Sequence, residues 1–307
     1  MNHTAIEPPS KLIEAFWIEK YLTFAQGHDG ALRPTDHLFL AEYALKNDLK
    51  DALKFEAALY RQRESEPIQR YSGRDRLWCN RLWVNRKARS FDSLADLDRA
   101  HPPTDTYHWV ITGPEIGGTS RSIRIGGEAG RTQIPRPHPM RLSQERRCVS
   151  NFNAIDPAVP LLIEWERFEG AAAGLGFDDT IFVFIDDCRG EVVFFGGLPT
   201  EADRISFEST SVVVPAGLLR AGEPYTIFYS QCKMVDQDIR DGLVNVAVNS
   251  FGVELDIHTT GAQRGDPCPM RRRMAPFRWK RKTKVARGLE TWPTVADEAC
   301  PNSGYAT

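Results

Sequence analysis

The sequence lacks the motifs that most directly reveal an enzyme or a cofactor-binding protein. It contains no G-x-S-x-G nucleophile elbow, no P-loop and no G-x-G-x-x-G dinucleotide fingerprint. No two of its seven histidines follow the H-E-x-x-H or H-x-x-x-H spacing that places two zinc ligands on one helical face. These absences leave no motif-based support for nucleophilic, nucleotide-dependent or zinc-dependent chemistry, and we expect no cofactor and no metal.

Long apolar runs and closely spaced cysteines are also missing. The sequence has no apolar run of the roughly 18 residues that a membrane helix needs. Residues 1–11 show no signal-peptide pattern, which favours a cytoplasmic location. None of the six cysteines forms a C-x-x-C pair, which excludes that metal or redox motif. We expect reduced, half-buried thiols, and a disulfide between Cys268 and Cys300 is the alternative.

The composition is that of an ordinary globular protein with an uneven distribution of charge. Hydrophobic residues make up 41% and charged residues 26% of the 307 positions, and a chain of this length suits about two domains. The net charge is −2, but residues 271–287 carry nine arginines or lysines and no acid, which leaves −11 for the rest. The sequence therefore combines an acidic body with a basic C-terminal segment.

Residues 161–259 carry short apolar runs that are separated by turn residues. Side chains that alternate between inward and outward, with Trp165 among the inward ones, indicate strands that close into a β-sandwich. Asp186–Gly190 has the composition of a hairpin turn. Tyr225 follows a bend where a tyrosine hydroxyl commonly hydrogen-bonds to the backbone just upstream. The six predicted strands are Ile163–Glu166, Ile181–Ile185, Val192–Phe195, Ser211–Val214, Tyr225–Tyr229 and Val244–Val248.

Trp165, the Asp186–Gly190 turn and the Leu219-x-x-Gly222-x-x-Tyr225 corner together resemble a fibronectin type III or immunoglobulin-like domain. From about residue 70 to residue 260, the order of short motifs is also similar to uncharacterised bacterial proteins. Those proteins pair a small β-domain with a fibronectin-like one, usually look exported and bring no known activity. The motifs are Phe91-x-Ser93, Leu97-Asp98-x-Ala100-His101-Pro102, Thr106-Tyr107, Phe152-x-Ala154-Ile155-Asp156-Pro157, Trp165-x-x-Phe168 and Val214-Pro215-Ala216-Gly217-x-Leu219.

The N-terminal residues carry apolar positions at helical spacing. Ser10 can cap a helix from Lys11 to about Thr23, and a second helix is predicted to run through about Lys46. A third helix is predicted from about Leu49 to Arg63, and the short break between the second and third helices suggests an antiparallel hairpin.

The predicted fold class is α+β and mainly β. A short helix over Ser90–Ala100 and strands at Thr106–Thr112 and Ser120–Ile125 indicate a small β-rich domain after the helical hairpin. The predicted division is a helical segment (1–65), a small β-rich domain (66–130), a Pro-rich linker (131–150), a fibronectin- or immunoglobulin-like sandwich (151–261) and an irregular basic tail (262–307).

Two sets of polar residues are candidates for chemistry. His101, His108, His138 and Asp156 would line a cleft between the two β-domains if the protein were an enzyme. Paired acids at 178–179 and 186–187 could each offer oxygen ligands to calcium. Because one strand separates the two acidic pairs by more than about 20 Å, we expect solvated turn acids, and we expect the same of Asp236, Asp238 and Asp241.

The basic segment is the strongest single feature. A basic run with interleaved aromatic residues suits nucleic acid or an anionic surface, or it lies along the acidic body of its own chain or of a neighbour. Its candidate binding residues are Arg271, Arg272, Arg273, Arg278, Trp279, Lys280, Arg281 and Lys282.

The preferred functional prediction is a non-enzymatic binding or structural module that contacts a protein partner, or its own copies, through β-sandwich surfaces. The alternatives are an enzyme with a site in the cleft between the β-domains and an anion- or nucleic-acid-binding protein that uses the tail.

Overall fold

The computed structural model describes residues 13–45, 56–62, 64–71, 76–79, 82–113, 117–126, 133–173, 177–196, 204–240 and 243–262. Within these ranges, the chain forms strands and one short helix, α1 (Leu94–Ala100). The strands are β1 (Ile13–Gln26), β2 (Leu32–Leu45), β3 (Glu56–Arg61), β4 (Gln69–Tyr71), β5 (Arg76–Cys79), β6 (Leu82–Phe91), β7 (Thr106–Gly113), β8 (Gly117–Arg124), β9 (Arg141–Gln144), β10 (Arg147–Cys148), β11 (Leu161–Glu164), β12 (Thr180–Asp187), β13 (Val192–Phe195), β14 (Ser211–Val214), β15 (Pro224–Arg240) and β16 (Leu243–His258).

The strands form three sheets. The large sheet has eight strands in the order β13-β12-β15-β16-β1-β2-β6-β5. The first small sheet has the order β4-β3-β7-β8, and the second small sheet has the order β10-β9-β11-β14. Among the described strands, every pair is antiparallel except β1 and β16, which run parallel from Ala15 opposite Val244 to Ala25 opposite Glu254. This one pairing joins the N-terminal strands to those of the predicted sandwich, while the predicted division into five segments stays a prediction.

The predicted N-terminal helical hairpin is wrong. The described part of the first predicted helix, from Lys11 to Thr23, is strand β1. The second predicted helix, which was to end near Lys46, is strand β2. Within the third predicted helix, Glu56–Arg61 is strand β3. Strand β1 is buried on both faces, so apolar residues occupy inward and outward positions alike and imitate a helical stripe. Pairing with β2 and β16 on its two sides overrides the local helical preference.

Both small sheets pack on the same face of the large sheet. Their inward side chains and those of the large sheet form one continuous buried cluster, the common core. On one side Phe16 of β1 stacks on Trp109 of β7 with ring centroids 5.3 Å apart. On the other side Trp165 stacks on Tyr229 of β15 with ring centroids 5.0 Å apart. The molecule therefore has two layers, with the large sheet as the layer shared by both small sheets.

The predicted strands of residues 161–259 are confirmed as strands. Trp165 is 2% exposed, as its inward assignment requires, and its indole N–H donates to the Ser209 carbonyl at 2.8 Å. The turn at 186–190 joins β12 to β13, and Asp187 accepts hydrogen bonds from two backbone N–H groups of that turn. The loop predicted to hold Asp236 and Asp238 is instead part of β15, which continues to Arg240.

The predicted short helix over Ser90–Ala100 is confirmed from Leu94 to Ala100, while Ser90 and Phe91 belong to β6. Helix α1 begins after Ser93, whose hydroxyl oxygen accepts from the Asp96 N–H, and it ends at His101. Just before β9, the Gln26 side chain exchanges two hydrogen bonds with the backbone of Met140, at 2.7 and 2.8 Å.

The cysteines differ from the sequence expectation. Cys148 and Cys188 are disulfide-bonded, so the prediction of reduced thiols is wrong for these two. Cys232 is a free thiol that is 3% exposed. The alternative pairing of Cys268 with Cys300 lies outside the described residues. None of the described helices is long and apolar enough to cross a membrane.

The corner before β15 generates a stability prediction. The Arg220 backbone N–H donates to the Tyr225 hydroxyl at 2.7 Å, and Tyr225 is 3% exposed. Tyr225→Phe should therefore lower the free energy of unfolding by about 1 kcal/mol, because a partly buried N–H loses its acceptor. Urea denaturation would measure this loss. Tyr60→Phe is the matched control, and equal stability of the two variants would contradict a role for the corner.

Candidate interaction surface

The large sheet has a second face that points away from the common core, and we call it the outer face. Along β1, the side chains of Phe16, Ile18 and Leu22 enter the common core, while Trp17 and Tyr21 between them belong to separate clusters. The same alternation continues along β12, β15 and β16. The outer face is therefore a continuous side of the large sheet.

A row of aromatic side chains crosses the outer face. Phe184 of β12 stacks on Phe228 of β15 with ring centroids 4.3 Å apart, and Phe228 lies 6.4 Å from Tyr21 of β1. Strand β16 lies between β15 and β1, and it contributes Gly252 at this point. A Cβ atom at Gly252 would collide with the Tyr21 hydroxyl and the Phe228 ring. Glycine is needed here because the two rings close over the backbone of β16.

A second apolar cluster lies farther along the same face. Its buried members are Cys232 and Met234 of β15 and Val246 and Val248 of β16, with Trp17 packed against them. Val248 is fully buried. Both outer clusters take their members from the large sheet and from Phe177 just before β12, with none from the described residues of the small sheets or α1.

A buried carboxylate lies on the outer face. Glu19 is 8% exposed, and it accepts hydrogen bonds from the Trp17 indole N–H at 3.0 Å and from the Ser250 hydroxyl. Burial raises the pKa of the Cys232 thiol well above its usual range, and the negative charge of the nearby Glu19 adds to this effect. Glu19 thus places a buried, hydrogen-bonded carboxyl group within the apolar face.

One end of the outer face is acidic. Asp186 of β12 lies opposite Thr226 of β15, and Thr226 lies opposite Asp256 of β16 and donates to its carboxylate at 2.7 Å. Glu254 is on the same face two residues before Asp256, and both are exposed. The outer face therefore offers rows of aromatic and aliphatic side chains that end at a group of carboxylates.

The four residues of the predicted cleft site have separate surroundings. His101 lies on Phe39 with ring centroids 3.8 Å apart and shares a hydrogen bond with the Tyr107 hydroxyl at 2.8 Å. His138 instead bonds the Tyr229 hydroxyl at 2.9 Å. His108 bonds Ser122, and Asp156 accepts from the Ala158 N–H in an exposed turn. No hydrogen bond, ion pair or ring contact among described residues joins any two of the four.

Burial explains why two of these histidines are structural. Burial, followed by the charges of Lys20, Arg61 and Arg89, lowers the pKa of His101 to about 3. Burial also lowers the pKa of His138, against a smaller opposing effect of Glu166. Both rings therefore stay neutral at pH 7 and act as packed, hydrogen-bonded core groups.

The acidic pairs that flank β12 act within the fold. Asp178 forms an ion pair with Arg204 at 2.8 Å. Asp179 accepts from the backbone N–H groups of Ala172 and Met234, and Asp187 caps the hairpin turn. Among the described residues, no group of three or more His, Cys, Asp or Glu is arranged to hold a metal ion.

The basic binding residues predicted from the sequence, from Arg271 to Lys282, lie outside the described residues. Sequence reasoning missed the outer face. Its signal was present in β15 and β16, where apolar residues occupy inward and outward positions alike, which is typical of strands covered on both sides.

No protein-family model and no curated protein matches the chain. Among solved structures, it is similar to the FN1–FN3 domains of chicken CNTN1, with 8% identity, 81% of this chain and 66% of that chain covered, and a TM-score of 0.23. It is also similar to the BSP domain of a biofilm associated protein, with 8% identity, 85% of this chain and 69% of that chain covered, and a TM-score of 0.17. TM-scores this low carry no argument about the chain.

Gly252 generates a prediction about the outer face. Gly252→Ala should lower the free energy of unfolding by about 1–2 kcal/mol, because the new methyl group displaces the closely packed Tyr21 ring. Chemical denaturation would measure this loss. Gly118→Ala in β8 is the matched control, since a Cβ there meets nothing within 4 Å. Equal stability of the two variants would show that Tyr21 does not lie over Gly252.

His101 generates a prediction about pH. The unfolded chain binds a proton at this ring below about pH 6.5, whereas the folded protein binds it only near pH 3. Stability due to His101 is therefore complete above pH 6.5 and falls as the pH decreases, by about 3 kcal/mol at pH 4. His101→Gln should flatten the decline in unfolding free energy between pH 7 and pH 4, measured with urea. His108→Gln is the control and should retain the parent's acid sensitivity.

Proposed function

We propose that the protein is a non-enzymatic binding module in which a fibronectin- or immunoglobulin-like sandwich presents the outer face to a polypeptide partner. The partner segment would carry positive charges together with aromatic or aliphatic side chains. The observation that carries this proposal is the outer face itself, which joins aromatic side chains to carboxylates on one side of one sheet.

The strand order supports an immunoglobulin-like arrangement. In such sandwiches the first, second and fifth strands share one sheet, and the third, sixth and seventh share the other. Here β9, β11 and β14 are neighbours in the second small sheet, while β12, β15 and β16 are neighbours in the large sheet. The hydroxyl of Tyr225, at the start of β15, binds the backbone upstream at the position where these folds use a tyrosine corner.

The chemistry of the outer face favours a cationic partner. Interfaces gain most from aromatic and apolar residues at their centre and from complementary charge at their rim. Tyr21, Phe184 and Phe228 form an aromatic centre that is 8% exposed or less in this structure, and the exposed Glu254 and Asp256 supply an anionic rim. Long-range attraction to these carboxylates would speed encounter with a basic segment and would weaken as salt is added.

The enzyme alternative has no comparable support. Its candidate histidines lie in separate surroundings, and the low pKa of His101 makes its ring a poor proton carrier at neutral pH. The geometry of these residues instead fits a scaffold whose polar groups are used for packing.

A peptide-binding measurement tests the proposed function. The receptor is the full-length chain with the cations of residues 271–287 replaced by glutamine, so that this run does not compete. The ligand is a short fluorescent peptide that alternates lysine with tryptophan. Glu254→Lys combined with Asp256→Lys should weaken binding about tenfold in fluorescence anisotropy, as reversal of two exposed charges implies.

The matched control reverses two exposed acids elsewhere, Glu169→Lys with Glu208→Lys, and should bind like the parent. Circular dichroism checks that each variant is folded. If both double variants bind the peptide equally weakly, the effect is due to net charge alone. If both bind it as tightly as the parent, the outer face is not the contact surface.

A further inference from the structure

We propose that Ser122 is a reactive serine that accepts an acyl group from an activated, anionic donor, such as an acyl phosphate. The reaction is a single covalent modification of the chain, and it needs no turnover. The site lies on the first small sheet, so the inference goes beyond the proposed function and does not depend on the outer face.

The site is on the side of the first small sheet that points away from the common core, and we call this side the open face. Tyr107, Trp109 and Ile123 point into the common core. Side chains alternate along a strand, so His108 of β7 and Ser122 of β8 lie on the open face. The register of β7 and β8 places these two residues directly opposite each other. The sheet itself therefore holds the serine beside the histidine.

A short hydrogen bond joins the two side chains. His108 Nδ1 lies 2.6 Å from the Ser122 hydroxyl oxygen. In the tautomer that carries its proton on Nε2, the ring accepts a hydrogen bond from the hydroxyl group. This is the arrangement in which a histidine acts as general base for a serine nucleophile.

Burial does not explain this bond, in contrast to the bonds of His101 and His138. Those two histidines each hold a tyrosine hydroxyl in the core, where an unpaired polar group would be costly. Ser122 is exposed, so water could satisfy its hydroxyl group without the histidine. The exposure also makes the serine accessible to a donor molecule.

The charge around Ser122 favours an anionic donor. The four strands of the first small sheet contain four arginines and one acid. The acid is Glu56, which lies opposite Thr112, whereas Arg124 lies opposite Thr106 at the other end of β7. Arg124 is exposed and follows Ser122 by two residues, so it lies on the same face about 7 Å along the strand. Its guanidinium group would attract and hold the phosphate of an acyl phosphate.

The reaction needs no co-reactant other than the donor. The Ser122 hydroxyl oxygen forms a bond to the acyl carbon, and the bond between that carbon and the phosphate oxygen breaks. Inorganic phosphate leaves with the electron pair of the broken bond. The hydroxyl proton passes to His108, which releases it to water. The product is a serine ester that carries the acyl group.

Acetyl phosphate is the probe that tests this inference in the full-length protein. Mass spectrometry of peptides would follow acetylation of each serine at neutral pH. Ser122 should react about 100-fold faster than Ser120, which lies on the same face of β8 but opposite Val110 instead of a histidine. His108→Gln should remove this advantage, and Ser120→Ala is the matched control that should leave the rate at Ser122 unchanged. Urea denaturation checks that each variant is folded.

A second variant tests the class of donor. Arg124→Gln should slow acetylation of Ser122 by acetyl phosphate about fivefold, because one exposed charge contact is lost. It should leave the reaction with p-nitrophenyl acetate, a neutral donor, unchanged. An equal effect on both donors would overturn the assignment of an anionic donor.

Three results would overturn the reactive serine itself. The first is equal acetylation rates at Ser122 and Ser120 in the parent protein. The second is an unchanged rate at Ser122 in the folded His108→Gln variant. The third is transfer of the phosphoryl group of acetyl phosphate to Ser122 in place of the acetyl group, since attack would then occur at phosphorus.

Discussion

The parallel pairing of β1 with β16 is the contact on which the rest of the structure depends. It joins β13-β12-β15-β16 to β1-β2-β6-β5 and makes one sheet of eight strands. Both small sheets then pack on the same side, so their cores merge into one. The partners are more than two hundred residues apart in sequence, and closing so long a loop is entropically costly. The aromatic stacks of Trp109 and Trp165 on the two halves of the large sheet supply compensating burial.

Much of the sandwich could be predicted because its strands are short and bounded by clear turn residues. The Trp165 position, the 186–190 turn and the Tyr225 corner each depend on local chemistry, and the structure confirms all three. The N-terminal strands could not be predicted in the same way. Ile13, Phe16 and Tyr21 lie at helical spacing by coincidence, because apolar side chains point to both buried faces of this strand and the pattern does not alternate with period two.

The outer face was also hidden from sequence reasoning. Tyr21 and Phe228 are more than two hundred residues apart, and only the sheet order brings their rings to either side of Gly252. For the histidines, the sequence suggested a chemical role where the structure shows a packing role. His101 and His138 suggested chemistry because histidine titrates near neutral pH, but burial places both in the core, where they hold tyrosine hydroxyls. Composition identifies such residues, whereas only packing assigns their roles.

The parallel orientation of β1 and β16 also decides where neighbouring polypeptide would attach. Two parallel strands of this length place the start of one and the finish of the other about 45 Å apart, at opposite poles of the sheet. Any module joined ahead of Ile13 and any module joined after Ala262 would therefore emerge from opposite poles. A pulling force applied through the two ends of this pair would run along the strands and load their hydrogen bonds in shear.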